Sequence, residues 1–274
     1  MNENITYIAG KARAIRVEVL KMTHGVKSGH TGSALGVADM LAALYFNILR
    51  IDPENPDFPD RDRMILSKGH ACPALYAALA LRGFFPLSEL ANLRRLGGAL
   101  QGHPDVRKTP GVDITTGSLG QGLSLGVGMA LAGRLNRKDY RVFVLMGDGE
   151  LNEGVVWEAA MAASKFRLSN LIGVVERNNL QIDGATETIM PLEPLADKWR
   201  AFNWSVCETD GNNVESFINT MQRVAGNMAR PAVIIAKTVK GRGVSFMENQ
   251  CGWHGKAPDD REFETAMKEL GEPS

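Results

Sequence analysis

In several segments of this chain the apolar residues recur with the spacing of an α-helix. Short, almost continuous apolar runs lie between these segments. Near the start the apolar residues step by four and three, which predicts an amphipathic helix. The residues of that first stripe are Ile8, Ala12, Ile15, Val19 and Met22. Further helices are predicted over residues 37–48, 74–81, 123–135, 153–166, 214–225 and 260–270. Seven helices are therefore predicted, distributed from the first to the last part of the chain.

The short apolar runs between these helices predict β-strands. They cover residues 63–67, 140–146, 171–175, 204–208 and 232–236. Strands that alternate with helices are typical of an α/β fold, so we expect a parallel sheet with helices on both faces. No internal repeat or change of composition requires a boundary, and we interpret residues 1–274 as one domain.

The overall composition argues against several classes of function. The 274 residues include 31 acidic and 31 basic side chains, so no net positive charge favours nucleic acid. No apolar run is long enough to span a bilayer and no signal segment is recognisable, so we expect a cytoplasmic location and no membrane partner. Cys72, Cys207 and Cys251 are isolated, which argues against a disulfide framework. The close spacing of Cys251 and His254 is interpreted as incidental.

An acidic turn follows one predicted strand, and an amide turn follows the next. Gly147-Asp148-Gly149-Glu150 comes after the strand over residues 140–146, and Asn178-Asn179 after the strand over residues 171–175. In an open parallel sheet, such strand ends form the ligand-binding edge. A carboxylate, an amide oxygen and a main-chain carbonyl suit a hard cation that also binds a phosphate. Either motif alone is as well explained by an ordinary turn, but the pair at this spacing indicates a cation and diphosphate site.

Four of the five histidines stand in glycine-bordered loops. They are His30, His70, His103 and His254, and only His24 lies outside this pattern. An imidazole can donate a hydrogen bond from one nitrogen and accept one at the other, so it can bind or deprotonate a sugar hydroxyl near neutral pH. A single loop histidine is often only a surface residue, but four together favour a shared polar site.

A glycine-rich turn precedes the predicted helix over residues 123–135, and the polar segment over residues 237–258 is interpreted as an active-site loop. The turn reads Thr115-Thr-Gly-Ser-Leu-Gly-Gln-Gly122, which by itself is equally explained by close helix packing. Together with the preceding motifs, however, it resembles the transketolases within the thiamine diphosphate family. The resemblance covers residues 24–258 and is to their amino-terminal, diphosphate-binding domain, with the motifs in the family's order.

The resemblance implies that the chain binds thiamine diphosphate together with Mg²⁺ or Ca²⁺. The implied metal ligands are Asp148, Asn178 and the main-chain carbonyl of Leu180. The implied cofactor contacts are His70, Gly117, Leu119, Gly149 and Asn178. Of these, Gly117 would offer its carbonyl to the aminopyrimidine ring, and Gly149 would contact the diphosphate.

The implied reaction is the transfer of a two-carbon ketol unit from a ketose phosphate to an aldose phosphate. His30 and His254 would exchange protons with the donor's C3 hydroxyl and the acceptor's carbonyl oxygen, and His103 would hold the donor's C1 hydroxyl. Glu153 would lie at a contact between subunits. The ordinary pentose phosphates are the default substrates.

The sequence also departs from the usual transketolase pattern. Ser118 stands where many transketolases have proline, and Glu176-Arg177 replaces two acids before the metal-binding asparagine. Neither change removes a ligand. The pyrimidine-binding and carboxyl-terminal domains of a full-length transketolase are not within residues 1–274, so we expect them on a partner chain, with two copies of each chain in the assembly.

Two alternatives remain open from the sequence. The first is the diphosphate-binding subunit of a 2-oxo-acid dehydrogenase or of an enzyme like deoxyxylulose-phosphate synthase, which would share the metal motif but has less need of four sugar-facing histidines. The second is a non-catalytic half that binds cofactor or sugar phosphate and regulates a partner, although the retained Asp148 and Asn178 argue against it.

Overall fold

The computed structural model describes residues 3–226 and 229–272, and a parallel β-sheet lies at its centre. In chain order the strands are β1 (Arg63–Leu66), β2 (Val142–Gly147), β3 (Leu171–Arg177), β4 (Leu180–Gln181), β5 (Gly184–Ala185), β6 (Ser205–Asp210) and β7 (Ala232–Lys237). The main sheet has the order β1-β2-β3-β7-β6, and every neighbouring pair is parallel. Strands β4 and β5 form a separate antiparallel hairpin.

Helices cover both faces of the main sheet. In chain order they are α1 (Glu3–Gly25), α2 (Thr31–Gly36), α3 (Ala38–Ala43), α4 (Cys72–Arg82), α5 (Gln121–Leu135), α6 (Gly154–Lys165), α7 (Thr186–Ile189), α8 (Leu195–Ala201), α9 (Val214–Ala225) and α10 (Asp260–Glu269). A π-helical turn, Leu44–Ile48, continues α3, and short 3-10 turns occupy Gly69–Ala71, Leu87–Asn92, Gly149–Asn152 and Cys251–Trp253.

Alternate residues of the main-sheet strands belong to two separate hydrophobic cores, one on each face of the sheet. Phe143 and Leu145 of β2 pack with α1, α3, α4 and α9 on one face. Val144 and Met146 pack with α5, α6 and α8 on the other. Side chains alternate between the two faces of a strand, and both faces of this sheet are covered, so its strands are apolar throughout rather than alternating. The predicted fold class, a parallel sheet with helices on both faces, is therefore confirmed.

The predicted helices and strands are all present, with ends shifted by a few residues. Helices α2, α7 and α8 and the β4–β5 hairpin were not predicted. Around residues 28–48, α2 begins directly after His30, and the predicted helix over residues 37–48 ends in the π-helical turn. Two glycines explain why α2 lies so close to its neighbours. A Cβ on Gly32 would lie 2.8 Å from the carbonyl oxygen of Trp253, and one on Gly36 would lie 2.6 Å from Oε1 of Glu176.

The sequence also makes predictions about membrane-spanning helices and about the three cysteines. Among residues 3–226 and 229–272, no helix is long and apolar enough to cross a membrane. Cys72, Cys207 and Cys251 are all free thiols, as their isolation in the sequence predicts.

Candidate active site

The acidic turn and the amide turn meet at the carboxyl ends of two adjacent strands. Gly147 at the end of β2 pairs with Glu176 near the end of β3, which brings Asp148 and Asn178 to the same edge of the sheet. The Asp148 carboxylate also accepts hydrogen bonds from the main chain of both turns. Oδ1 of Asp148 accepts from the amide of Gly149 at 2.8 Å, and Oδ2 accepts from the amide of Asn179 at 2.7 Å. Asp148 and Asn178 are both buried.

A cavity of about 340 Å³ opens at this edge. Several residues that the sequence predicted for the site line it: His70, Leu119, Asp148, Gly149, Asn178, Leu180 and His254. Glu153 also lines it. The residues come from five separate parts of the chain, so the cavity depends on the assembled sheet and its loops. Its size suits a small organic ligand rather than a polymer.

The donor groups around Asp148 fit a divalent cation shared with a diphosphate. Among the described residues, no three His, Cys, Asp or Glu side chains are grouped to hold a metal by themselves. The ligands expected from the sequence are instead the Asp148 carboxylate, the Asn178 amide oxygen and the Leu180 carbonyl, so further oxygens would have to come from a bound ligand. Burial, followed by the charge of Glu176, raises the pKa of Asp148, and a bound cation would favour its charged form.

The glycine at position 149 lets the acidic turn pack closely against the β4–β5 hairpin. A Cβ there would lie 2.9 Å from the Cβ of Gln181, which is too close for any larger residue without movement of the β4–β5 hairpin. The amide turn has a conformation that suits asparagine, because Asn179 has a φ of 62° and Oδ1 of Asn178 accepts from the amide of Leu180 at 2.9 Å.

Two buried lysines add positive charge to the cavity, and the sequence motifs did not identify them. Lys68 pairs with Glu176, and both side chains are almost completely buried. Lys240 lines the same cavity, and its Nζ lies 3.3 Å from Nδ1 of His254. Burial, followed by the charge of Lys68, lowers the pKa of Lys240. The only available signal was their position, since Lys68 precedes the Gly69-His70 motif and Lys240 lies in the predicted active-site loop.

Arg177 connects Asp148 to the segment that follows the hairpin. Its Nη1 donates to Oδ2 of Asp148 at 3.2 Å and to Oγ1 of Thr186 at 2.6 Å. Its Nη2 donates to Glu187 at 2.8 Å and to Glu193 at 3.0 Å. The sequence identified Arg177 only as a departure from the transketolase pattern. Where that pattern has an acid, this chain therefore has a cation. Its charge is neutralised by the carboxylates of Asp148, Glu187 and Glu193.

Glu150 connects three parts of the site and was also not assigned a role from the sequence. Its carboxylate accepts from the Ser67 hydroxyl, from the amide of Gly120 at 2.8 Å and from the amide of Gly147 at 3.0 Å. These donors stand after β1, before α5 and at the end of β2. One buried carboxylate therefore fixes the glycine-rich turn relative to the acidic turn.

Three of the predicted histidines form a cluster. The ring centroids are separated by 5.0 Å for His30 and His70, 5.1 Å for His70 and His254, and 5.4 Å for His30 and His254. His103 lies against the glycine-rich turn instead, because a Cβ on Gly117 would lie 3.3 Å from its ring. His24, which lay outside the sequence pattern, is elsewhere, stacked on Phe263 at 4.2 Å.

The four loop histidines are uncharged near neutral pH. Burial, followed by the charge of Arg94, lowers the pKa of His30 to about 4. Burial, followed by the charge of Lys240, lowers the pKa of His254 to about 4. Burial also lowers the pKa of His103, and it lowers that of His70 well below the ordinary value. Each neutral ring has one nitrogen that donates and one that accepts a hydrogen bond, so it is able to form both kinds of contact with a hydroxyl group.

The chain is similar to known transketolases over almost its whole length. Residues 9–273 match the family described as "Transketolase, thiamine diphosphate binding domain". The chain is 44% identical to a 6-deoxy-6-sulfo-D-fructose transketolase subunit of Clostridium sp. (strain MSTE9), over 98% of both chains. It is 42% identical to an apulose-4-phosphate transketolase subunit of Phocaeicola vulgatus, over 94% of this chain and 91% of that protein.

Longer transketolases contain a region of the same fold. The structure of the Campylobacter jejuni transketolase superposes on this chain with a TM-score of 0.93 at 31% sequence identity, covering 100% of this chain and 44% of that one. The Homo sapiens transketolase is 38% identical over 94% of this chain and 41% of its own length. The chain thus spans less than half the length of these two proteins.

Proposed function

The chain belongs to the transketolase family, in its thiamine diphosphate-binding domain, and from that premise we propose that it is the amino-terminal subunit of a split transketolase. With a partner subunit it would transfer a two-carbon ketol unit from a ketose to an aldose, as a transferase. The observation that carries this proposal is the cavity that brings His70 and His254 beside Asp148 and Asn178. The proposed diphosphate site and the proposed hydroxyl-binding site would then share one space.

We propose that thiamine diphosphate binds in this cavity together with Mg²⁺ or Ca²⁺. The cation would be held by Asp148, Asn178 and the Leu180 carbonyl, and the diphosphate would contact Gly149. Lys68 and Lys240 would offset the remaining negative charge. When bound, the cofactor supplies the carbon nucleophile and the electron sink that cleavage beside a ketose carbonyl requires.

The histidines of the chain would hold the sugar and move its protons. His30 is neutral, so it can accept a proton from a sugar hydroxyl and return it. When protonated, the amine of Lys240 can only donate, so its contact with Nδ1 of His254 places the ring proton on Nε2, from which His254 would donate to the acceptor's carbonyl oxygen. His103, next to Gly117, would hold the donor's C1 hydroxyl, and His70, Gly117 and Leu119 would contact the cofactor.

The partner would supply the pyrimidine-binding and carboxyl-terminal domains, in an assembly of two copies of each chain. Support comes from relatives that are named as subunits and that this chain matches over 98% and 91% of their length. Residues 1–274 would then form one diphosphate-binding domain in a cytoplasmic enzyme. The expected position of Glu153 at a contact between subunits is consistent with its place on the cavity wall.

The donor substrate is proposed to be a ketose that carries an anionic group. Pentose phosphates are the default expectation, but the relatives named above act on a sulfonated fructose and on apulose 4-phosphate. All of these share a ketose carbonyl and a distal phosphate or sulfonate. The histidine cluster favours such sugars over pyruvate, because a decarboxylated oxo acid offers no chain of hydroxyls to bind.

The proposal is tested by reconstitution with the partner subunit. The chain alone, the partner alone and their mixture are assayed with thiamine diphosphate and Mg²⁺, with ribose 5-phosphate as the acceptor. The donors are xylulose 5-phosphate, 6-deoxy-6-sulfofructose and apulose 4-phosphate. We expect transfer only in the mixture. Full turnover by the pure chain, or pyruvate-dependent activity without ketose activity, would contradict the proposal.

Three variants complete this experiment. Asp148→Asn should weaken metal-dependent cofactor binding at least about tenfold by calorimetry, because the only carboxylate proposed as a metal ligand is removed. Asp57→Asn, in an exposed loop, serves as the matched control. If Asp148→Asn or His103→Gln left the turnover of the complex unchanged, the chain would be better described as a regulatory half.

A further inference from the structure

Arg94 lies between the two loops that carry His30 and His103. Its backbone has a φ of 57°, and its amide donates to the carbonyl of Leu100 at 2.7 Å. Its Nη1 donates to the Ser28 hydroxyl at 2.8 Å, two residues before His30. A Cβ on Gly102 would lie 3.5 Å from Cζ of Arg94, so the guanidinium packs against the residue that precedes His103.

The charge of Arg94 is not neutralised within the described part of the chain. Arg16, Arg50 and Arg177 each form an ion pair with a carboxylate, whereas Arg94 forms no ion pair with any residue in 3–226 or 229–272. Its Nε is buried without a hydrogen-bond partner. An uncompensated guanidinium in a partly buried position disfavours any second positive charge nearby.

We propose that Arg94 is a positioning residue that holds the His30 loop against the His103 loop and presents its unneutralised positive charge to both imidazoles. The consequence for catalysis rests on the proposed function, because only a neutral ring can take a proton from a sugar hydroxyl. An imidazolium has only donors and could not take a proton from a hydroxyl.

The pKa values of the two histidines support this role. After burial, Arg94 is the largest cause that lowers the pKa of both His30 and His103. His103, Lys240 and Lys68 lower the pKa of His30 further, and the rings of His70 and His254 contact it. Arg94 is the only one of these groups that also acts on His103.

The first test uses the isolated chain and needs no activity. The titration midpoints of the five histidines are followed by NMR, with His30→Gln and His103→Gln to assign the two signals. Arg94→Gln should raise both midpoints by at least about half a pH unit. Arg94→Lys should stay close to the unmodified chain, because the charge is retained. Arg95→Gln is the control, since Arg95 is exposed and makes no side-chain hydrogen bond or ion pair with the described residues.

Ser28→Ala provides a second route if Arg94→Gln does not fold, as judged by thermal unfolding. It releases the guanidinium from its anchor and should raise the His30 midpoint. In the active complex, the acid limb of kcat/KM should move to higher pH in Arg94→Gln by a similar amount, but not in Arg95→Gln. Unchanged midpoints in folded Arg94→Gln, or in Ser28→Ala if that is the only folded variant, would overturn the proposal. A chain without transketolase activity would still give a clear answer in the NMR titration.

Discussion

The charged residues at the site are buried as ion pairs. Loss of one residue of a pair would leave the charge of the other buried and uncompensated. Lys68 and Glu176 are paired with 3% and 0% of their side chains exposed, and Arg177 and Asp148 with 5% and 2%. Removing one partner of a buried pair leaves an uncompensated charge, which costs more than the pair itself contributes. Surface pairs contribute little, because water screens them.

Arg177→Met should therefore destabilise the fold. Asp148 would lose its buried partner, and Glu187 and Glu193 would lose the same cation, so we expect a decrease of about 3–5 kcal/mol in the free energy of unfolding. Urea denaturation measures it. The control is Arg200→Met, because Arg200 pairs with Asp197 on the surface and should change the free energy by less than about 1 kcal/mol. Equal effects of the two variants would contradict the assigned role of Arg177.

At the scale of secondary structure, the site depends on how closely α5 approaches the end of β1. A Cβ on Gly122, in the first turn of α5, would lie 2.2 Å from Oγ of Ser67 and 2.8 Å from its Cα. Ser67 in turn donates to Glu150, which holds Gly120 and Gly147. The lack of a side chain at position 122 thus sets the geometry of the glycine-rich turn.

Two glycines of α5 allow a matched comparison. Gly122→Ala should destabilise the protein by about 1–3 kcal/mol, because the added methyl group collides with backbone and side-chain atoms of Ser67. Gly128→Ala should stabilise it by up to about 1 kcal/mol, because a Cβ there meets nothing within 4 Å and alanine favours a helix. Urea denaturation of both variants distinguishes packing from helix propensity. A stabilised Gly122→Ala variant would refute the close approach.

At the scale of the whole molecule, folding partly buries histidines that the unfolded chain exposes. The pKa of His30 and that of His254 are about 4 in the fold, against an ordinary value of 6.5. Between these pH values the unfolded chain binds more protons than the folded one. The contribution of these histidines to stability is therefore full above pH 6.5 and declines as the pH falls towards 4.

The melting temperature should accordingly fall between pH 6.5 and 4, and part of that decrease should disappear in the double variant His30→Gln, His254→Gln. Calorimetric melts across this range measure both slopes. Carboxylates also titrate near the lower end, so the comparison between the two proteins is the informative quantity. Parallel slopes would show that the two imidazoles titrate alike in the folded and unfolded states.

Much of the fold and the family could be predicted from the sequence, because local patterns carry that information. Apolar spacing predicted the helices and strands, and the ordered motifs around His30, Asp148 and Asn178 indicated the transketolase family, which the comparisons confirm. Glycine-bordered turns and acids at strand ends are visible in the sequence because each needs only its immediate neighbours.

The sequence alone thus determined the fold class, the family and the residue types available for a cofactor and a sugar. The tertiary structure decided which of these residues meet and in what protonation state. Lys68 with Glu176, Lys240 with His254, and Glu150 with Gly120 are contacts between distant segments, and no local pattern predicts them. Burial, which lowers the pKa of the four loop histidines, likewise exists only once the sheet and its loops have assembled.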